Sequence, residues 1–160
     1  MSVVRALESA DREILQEATL INLNWQSERF TLDDLHANPD FTHYAEIDFA
    51  RGDYGFVVTK GGRWVSVVWV IFPSREHSGY GYVSEGVPEL SVCVRAGHRR
   101  RGTGRMLMTK AMDEAGRRGV PAVSLSVEQP NPARGLYETM GFVDVPDAPN
   151  AGTMLVRVPL

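Results

Sequence analysis

The sequence predicts a mixed α+β fold in the order strand, two helices, three strands, helix, strand, helix, two strands. Three observations lead there. Tyr54 to Lys60 and Arg63 to Phe72 are rich in Val, Trp, Phe and Ile and are joined by Gly61-Gly62, the pattern of a β-hairpin with a primed two-residue turn. Leu107, Met108, Ala111, Met112 and Ala115 recur at helical spacing between a short apolar strand that opens at Glu89 and another from Ala122 to Val127. The chain then closes with two apolar segments, Phe142 to Val145 and Thr153 to Val158, around a Pro/Asp/Asn loop, which reads as an antiparallel pair.

Taken in order, Ser2 to Leu7 can form a short edge strand, giving way at Ser9 or Asp11 to a helix with Ile14, Leu15, Ala18, Ile21 and Leu23 on its apolar side. Thr31 is a candidate N-cap for a second helix, with Asp34 completing a capping box, and Asn38-Pro39 obscures where that helix ends. Trp25, Phe30, His36, Phe41, His43 and Tyr44 cluster here and are expected mostly to pack. The second strand of the hairpin is apolar on both faces apart from Ser66, so it belongs in the centre of the sheet, and Pro73 ends it. Residues 74 to 88 have the Gly and Ser content of a long loop, with a short extended piece expected near Tyr82. The helix after Gly104 ends with Arg117 and Arg118 in its last turn, Gly119 as C′ residue and Pro121 blocking continuation. A last helix is expected with Asn131 as cap, Pro132 at its first position, Leu136 and Met140 facing inward, and Gly141 closing it.

A chain of 160 residues is expected to form a single domain, 1 to 160, with a sizeable core. Its net charge of −3 argues against generic nucleic-acid binding, so any cluster of arginines is a local feature. Cys93 is the only cysteine, which excludes an internal disulfide and fits a reducing compartment. No apolar run has membrane-spanning length, and Arg5, Glu8, Asp11, Arg12 and Glu13 charge the N-terminal segment, so a cytoplasmic location is expected. His36, His43, His77 and His98 lack metal-ligand spacing, and no metal is expected.

The chemistry concentrates between Glu89 and Leu107, ELSVCVRAGHRRRGTGRML. His98, Arg99, Arg100 and Arg101 crowd the start of a helix, whose N-terminus already carries partial positive charge and unpaired N–H groups. That congestion suits a bound anion, with Gly102 and Gly104 letting the backbone approach phosphate oxygens. Two common cradles fail on spacing. Gly97 to Gly102 matches a P-loop, but Thr103 stands where the lysine is needed; a Rossmann turn wants a third glycine where Leu107 lies.

What remains, Arg99-x-x-Gly102-x-Gly104 after a strand, resembles the acyl-CoA signature of the GNAT superfamily of N-acetyltransferases. Downstream, SLSVEQPNPARGLYETMGF, Ser124 to Phe142, resembles that family's strand, Asn, helix, Tyr and Gly-Phe block. Together the two motifs cover roughly the last half of the chain. The resemblance implies a central mixed, mostly antiparallel sheet of six to seven strands with about four helices. In it two parallel strands splay apart to hold acetyl-CoA, and the first half of the chain lies over the acceptor cleft.

The resemblance also implies roles. Backbone groups from Arg100 to Arg105, namely Arg100, Arg101, Gly102, Thr103, Gly104 and Arg105, would meet the pyrophosphate of coenzyme A, with arginine side chains, Arg99 included, adding charge-assisted contacts. A bulged strand would leave N–H groups of Val92, Cys93 and Val94 free for pantetheine and the thioester carbonyl. Asn131 matches an asparagine near the pantetheine arm, a role compatible with capping. Tyr137 matches the tyrosine that donates a proton to the leaving sulfur, and Glu89 stands where some members carry a general base, with Glu85 and His77 in reserve. Cys93 is read as a small buried strand residue and not as a nucleophile. The implied reaction is direct transfer of acetyl from acetyl-CoA to a small-molecule or peptide amine, possible homodimers included. A non-catalytic acyl-CoA-binding domain and a basic-loop nucleic-acid binder are the rival readings.

Overall fold

The computed structural model describes residues 1 to 159. In chain order the elements are β1 (Ser2–Ala6), α1 (Arg12–Leu23) after a 3-10 turn, α2 (Leu32–Ala37), α3 (Pro39–Thr42), two further 3-10 turns, β2 (Tyr54–Lys60), β3 (Arg63–Ile71), β4 (Glu89–Val94), α4 (Thr103–Arg117), β5 (Ala122–Ser126), α5 (Arg134–Thr139), β6 (Val143–Asp144) and β7 (Thr153–Arg157). The strands form one mixed seven-stranded sheet, mostly antiparallel, in the order β1-β2-β3-β4-β5-β7-β6.

Local chemistry explains most of these boundaries. Gly61 and Gly62 both adopt positive φ (61° and 77°), as the primed turn between β2 and β3 requires. Thr31 Oγ1 accepts the Asp34 N–H at 3.2 Å while Asp34 Oδ2 accepts the Thr31 N–H at 2.8 Å, completing the capping box at the start of α2. Asn38 resolves the obscured end of that helix by capping α3, its Oδ1 accepting the Asp40 N–H at 3.0 Å. Gly119, at φ 71°, follows the last turn of α4, where Glu114 binds both Arg117 and Arg118.

The sheet has a core on each face. On one, Leu107, Met108, Ala111 and Ala115 of α4 pack on Val68, Val70, Leu90, Val123 and Leu125. On the other, Leu15 and Ala18 of α1 and Leu35 of α2 pack on Val57, Val67, Trp69, Ile71 and Cys93. Strand alternation divides β4 accordingly, with Leu90 and Val92 on the α4 side and Glu89, Ser91 and Cys93 on the α1 side.

One junction sets the geometry of everything that follows. β4 follows β3 from Glu89 to Val94, and β5 follows β7 from Ala122 to Ser126, yet β4 and β5 meet in parallel at a single pair, Glu89 with Ser124. The Ser124 N–H donates to the Pro88 carbonyl there at 3.0 Å. Beyond that pair the two strands diverge, leaving a wedge-shaped gap between two half-sheets.

Four local expectations need correction. No strand forms near Tyr82; its N–H closes a tight turn onto the Gly79 carbonyl at 3.2 Å. Regular helix begins at Arg134 and not at Pro132, because the chain from Asn131 first winds through i to i+3 bonds, a tighter turn that includes Arg134 N–H to Asn131 O at 3.1 Å. The pair of final strands is shorter at its first member, which is confined to Val143 and Asp144. β4 carries no bulge against β3; the register irregularity lies between Val58 and Thr59, in the β2–β3 pair.

Leu107 is fully buried at the centre of the α4 face. Leu107→Ala is expected to destabilise the protein by about 2–5 kcal/mol, read as a lower urea midpoint at unchanged m-value.

Candidate active site

The turn before α4 leaves the helix start uncapped. Gly97 and Gly102 take left-handed backbone (φ 89° and 78°), and so does Arg100 at φ 62°, a conformation that costs a side-chain-bearing residue. Gly102 is the N-cap and offers no side chain, and no acidic residue lies in the first turn of α4. The N–H groups of Thr103, Gly104 and Arg105 therefore find no internal acceptor among the described residues. Gly104 lies between the end of β4 and α5, since a Cβ there would touch Val94 Cγ2 at 3.5 Å and Leu136 Cδ2 at 3.8 Å. The arginines divide. Arg99 Nε donates to the Val94 carbonyl at 3.0 Å and Arg105 to Thr139 Oγ1 at 2.9 Å, so both reach for protein atoms, whereas Arg100 and Arg101 extend into solvent.

The N–H groups of β4 follow from its register. Arg95 N–H bonds the Val65 carbonyl at 2.9 Å, so by alternation the Cys93 amide is also spent on β3. Cys93 therefore offers the gap no N–H, contrary to the sequence expectation. Val92 and Val94 face the other way, and because β5 has already departed, their N–H groups have no strand partner. Their carbonyls take side chains instead, Asn22 Nδ2 of α1 on Val92 O at 3.1 Å and Arg99 on Val94 O. The Cys93 thiol is buried and pushed up to about 12, chiefly by burial, which keeps it protonated and unreactive.

Glu89 lies at the closed end of the gap and is 4% exposed. Tyr44 donates its hydroxyl to Glu89 Oε2 at 2.7 Å, the Gly81 backbone lies close against the carboxylate, and Oε1 has no partner. Burial pushes its pKa up to about 7, with the Tyr44 hydroxyl and the nearby Gly81 amide pulling in the opposite direction. The reserves are elsewhere. Glu85 is exposed opposite Arg75 at 4.0 Å, and His77 is exposed on the same loop.

Across the gap, Tyr137 packs edge-on to Phe142, with ring centroids 6.2 Å apart. Burial, and after it the Cys93 thiol, pushes its phenol up to about 12, so it remains an O–H donor at every ordinary pH. Asn131 Oδ1 accepts the Ala133 N–H at 2.9 Å within the turn that precedes α5, whose N-cap is Ala133 and not Asn131 as the sequence suggests. Over the acceptor side, Phe41 and Tyr44 are buried and Phe30 stands edge-on to Phe41 at 4.8 Å, so most of that aromatic cluster is packing. Arg29, from the loop after α1, reaches Glu128, beyond β5, at 3.1 Å.

An uncapped, arginine-flanked helix start lying beside the open end of splayed parallel strands can be compared with known proteins. The model of the GNAT acetyltransferase family matches residues 18–142. This chain belongs to that family. No curated protein matches the sequence. Among solved structures, an acetyltransferase of the GNAT family from Staphylococcus aureus Mu50 is similar over 99% of this chain and 100% of its own, at TM-score 0.74 and 16% identity. The ribosomal-protein-S18-alanine N-acetyltransferase from Escherichia coli is similar at TM-score 0.64 and 20% identity, covering 100% of this chain and 96% of its own. The putative acetyltransferase yncA from Salmonella typhimurium, described with its cofactor acetyl-CoA, is similar at 0.67 and 20% identity, covering 100% and 95%. At these identities the neighbours establish the GNAT fold. The donor set of this member, free amides at the start of α4 and along β4 with Arg100 and Arg101 beside them, fits a pyrophosphate joined to an amide-bearing arm.

Sequence inspection missed Asn22, Tyr44, Gly79 and Gly81. Of these, only Tyr44 carries a local signal, as one of a cluster of aromatics.

The raised pKa of Glu89 has a stability signature. The folded chain holds its proton more tightly than the unfolded chain, so this group's stabilisation is complete below the ordinary glutamate value and is lost as pH rises through about 7. Glu89→Gln should therefore gain stability relative to the parent between pH 5 and pH 8. Urea melts at the two pH values check this, and a difference independent of pH contradicts it.

Proposed function

We propose that this GNAT family member is an acetyl-CoA-dependent N-acetyltransferase in which Glu89 accepts the proton of a primary amine and Tyr137 protonates the departing sulfur. Acetyl-CoA would supply the thioester from which the acetyl group passes directly to the amine. The observation that carries this reading is the buried Glu89 carboxylate, half-partnered and titrating near pH 7 at the end of the strand gap. An alkylamine is mostly protonated at that pH, so a proton acceptor matched to neutrality is what transfer to it requires.

The other residues serve binding and polarisation. The N–H groups of Thr103, Gly104 and Arg105, backed by Arg100 and Arg101, would take the pyrophosphate. The outward N–H groups of Val92 and Val94 would serve the pantetheine arm and the acyl oxygen, where such donors typically contribute on the order of a few kcal/mol to the transition state. Asn131 stands at the mouth of α5, near the path of that arm. Arg99 helps indirectly, by holding the Val94 carbonyl and fixing the turn. Residues 1 to 160 would act as a single catalytic domain in the cytoplasm. Alanine N-acetyltransferases among the structural neighbours make a peptide N-terminus the first acceptor to try, with small amines alongside.

The reading is tested by calorimetry with coenzyme A and by thiol release from acetyl-CoA over a panel of peptide N-termini, polyamines and amino-acid derivatives. Saturable coenzyme A binding with amine-dependent thiol release is expected. Binding without turnover across the panel would mark a non-catalytic acyl-CoA-binding domain, and no binding would remove the assignment altogether. Tyr137→Phe is expected to lower turnover about 100-fold or more with coenzyme A affinity nearly unchanged; undiminished turnover would take Tyr137 out of the mechanism.

A further inference from the structure

The setting of Glu89 is more elaborate than a buried carboxylate needs for packing alone. Tyr44, from the 3-10 turn His43–Ala45, gives its hydroxyl proton to Glu89 Oε2 at 2.7 Å. The same hydroxyl oxygen accepts the Tyr80 N–H at 2.7 Å, and the Tyr44 and Tyr80 rings lie nearly parallel with centroids 6.3 Å apart. With its lone pair and its proton both engaged, the Tyr44 hydroxyl has one orientation.

The turn that supplies the Tyr80 amide is Gly79-Tyr80-Gly81, and its glycines are required by contact. A Cβ on Gly79 would collide with Glu89 Oε1 and come within 2.6 Å of the Tyr44 hydroxyl; one on Gly81 would lie 2.9 Å from Glu89 Cδ. The turn thus serves the pair, its Tyr80 amide holding the Tyr44 hydroxyl while its two glycines let the backbone close over the Glu89 carboxylate. Thr153 Oγ1 in turn donates to the Tyr80 carbonyl at 3.1 Å, tying the turn to β7.

Glu89 Oε1 is left out of this arrangement. It is buried without a partner, and so is Ser124 Oγ, the residue paired with Glu89 in the one β4–β5 ladder pair among the described residues. Residues paired across a sheet point to the same face, so both orphaned oxygens lie on the α1 side at the end of the gap. Buried polar atoms without partners call for a water or a substrate hydrogen-bonding group.

We propose that Tyr44 is a positioning residue for Glu89: its hydroxyl, locked by the Tyr80 amide, pins one carboxylate oxygen so that the other, left without a partner, is the one that takes the acceptor's proton. The proposal rests on Glu89 being the proton acceptor. The proton leaves the acceptor nitrogen, directly or through one water held by Ser124, and ends on Oε1 while Tyr44 keeps its own. Tyr44 is suited to that static role, because burial first and the Glu89 carboxylate second raise its phenol well above the ordinary value. The groups facing Glu89 are Tyr44, Tyr80 and Ser124, with His43 behind the Tyr44 ring at 5.1 Å. Burial lowers the pKa of His43, favouring its neutral form, and no cation among the described residues perturbs Glu89.

The test reads the carboxylate itself, without an acceptor. In protein labelled with 13C at glutamate Cδ and tyrosine Cζ, the Glu89 signal is assigned by its loss in Glu89→Gln. In the parent it should titrate near 7, and the Tyr44 Cζ signal should follow the same midpoint because its proton rests on that carboxylate. Tyr44→Phe, losing a donor to the ionised form, should raise the Glu89 midpoint by about one unit, with the acid limb of kcat/KM moving by the same amount. A Tyr44 signal blind to the Glu89 titration in the parent overturns the proposal even if the variant does not fold. An unmoved Glu89 midpoint in folded Tyr44→Phe overturns it as well. The underlying role of Glu89 fails separately, through undiminished transfer by Glu89→Gln, whatever the titrations show.

Discussion

The single pairing of Glu89 with Ser124 is the constraint on which the rest of this structure depends. Each half-sheet is internally complete, β4 on β3 and β5 on β7, so the two can meet at one point without losing the ladders that stabilise them. Departure of β5 opens the wedge, exposes the outward amides of Val92 and Val94, and places the first residue of β4 at its vertex. Backbone N–H groups left in such a wedge are costly unless something accepts from them. A continuous parallel pair would have satisfied them internally and removed the site.

The charges are arranged around that wedge in two separate regimes. At its open end, arginines and free amides crowd the start of α4. At its closed end, a carboxylate is buried with no ion-pair partner among the described residues, and burial is the chief influence on its pKa. Asp53 shows that this chain can bury an acid conventionally: Arg51 binds it through Nε at 3.2 Å and through Nη2, and the Asp48 and Phe72 amides complete the set at 2.9 and 2.8 Å. Glu89 receives one phenol hydroxyl, and keeps an oxygen free. The contrast is between an acid neutralised by its own arginine and one whose burial, with no cation paired to it, brings its ionised and neutral forms towards balance near neutrality.

The legible parts of the fold are those written in short-range chemistry. Gly61-Gly62, the Thr31 capping box, the α4 stripe and Gly119 after it each follow from residues a few positions apart. The misread parts are equally local. The amides of the Asn131–Leu136 segment close i to i+3 before any regular helix can start, and the Tyr82 region lacks a neighbouring strand to pair with. In the site, the anion-binding turn was readable because its glycines and arginines are contiguous. The β4 amides were only half readable, because which of Val92, Cys93 and Val94 faces the gap depends on the register with β3.

By itself, then, the sequence determined the succession of elements, the uncapped arginine-rich helix start and the presence of Glu89 and Tyr137 at the ends of their motifs, all consequences of neighbours along the chain. Only the tertiary structure decided that Glu89 is buried and half-partnered, that Tyr44 and a two-glycine turn hold it, and that Asn22 enters the gap. Those contacts join positions as far apart as Asn22 and Val92, or Tyr44 and Glu89, and their energies arise from exclusion of water by the folded whole, which no stretch of residues carries alone.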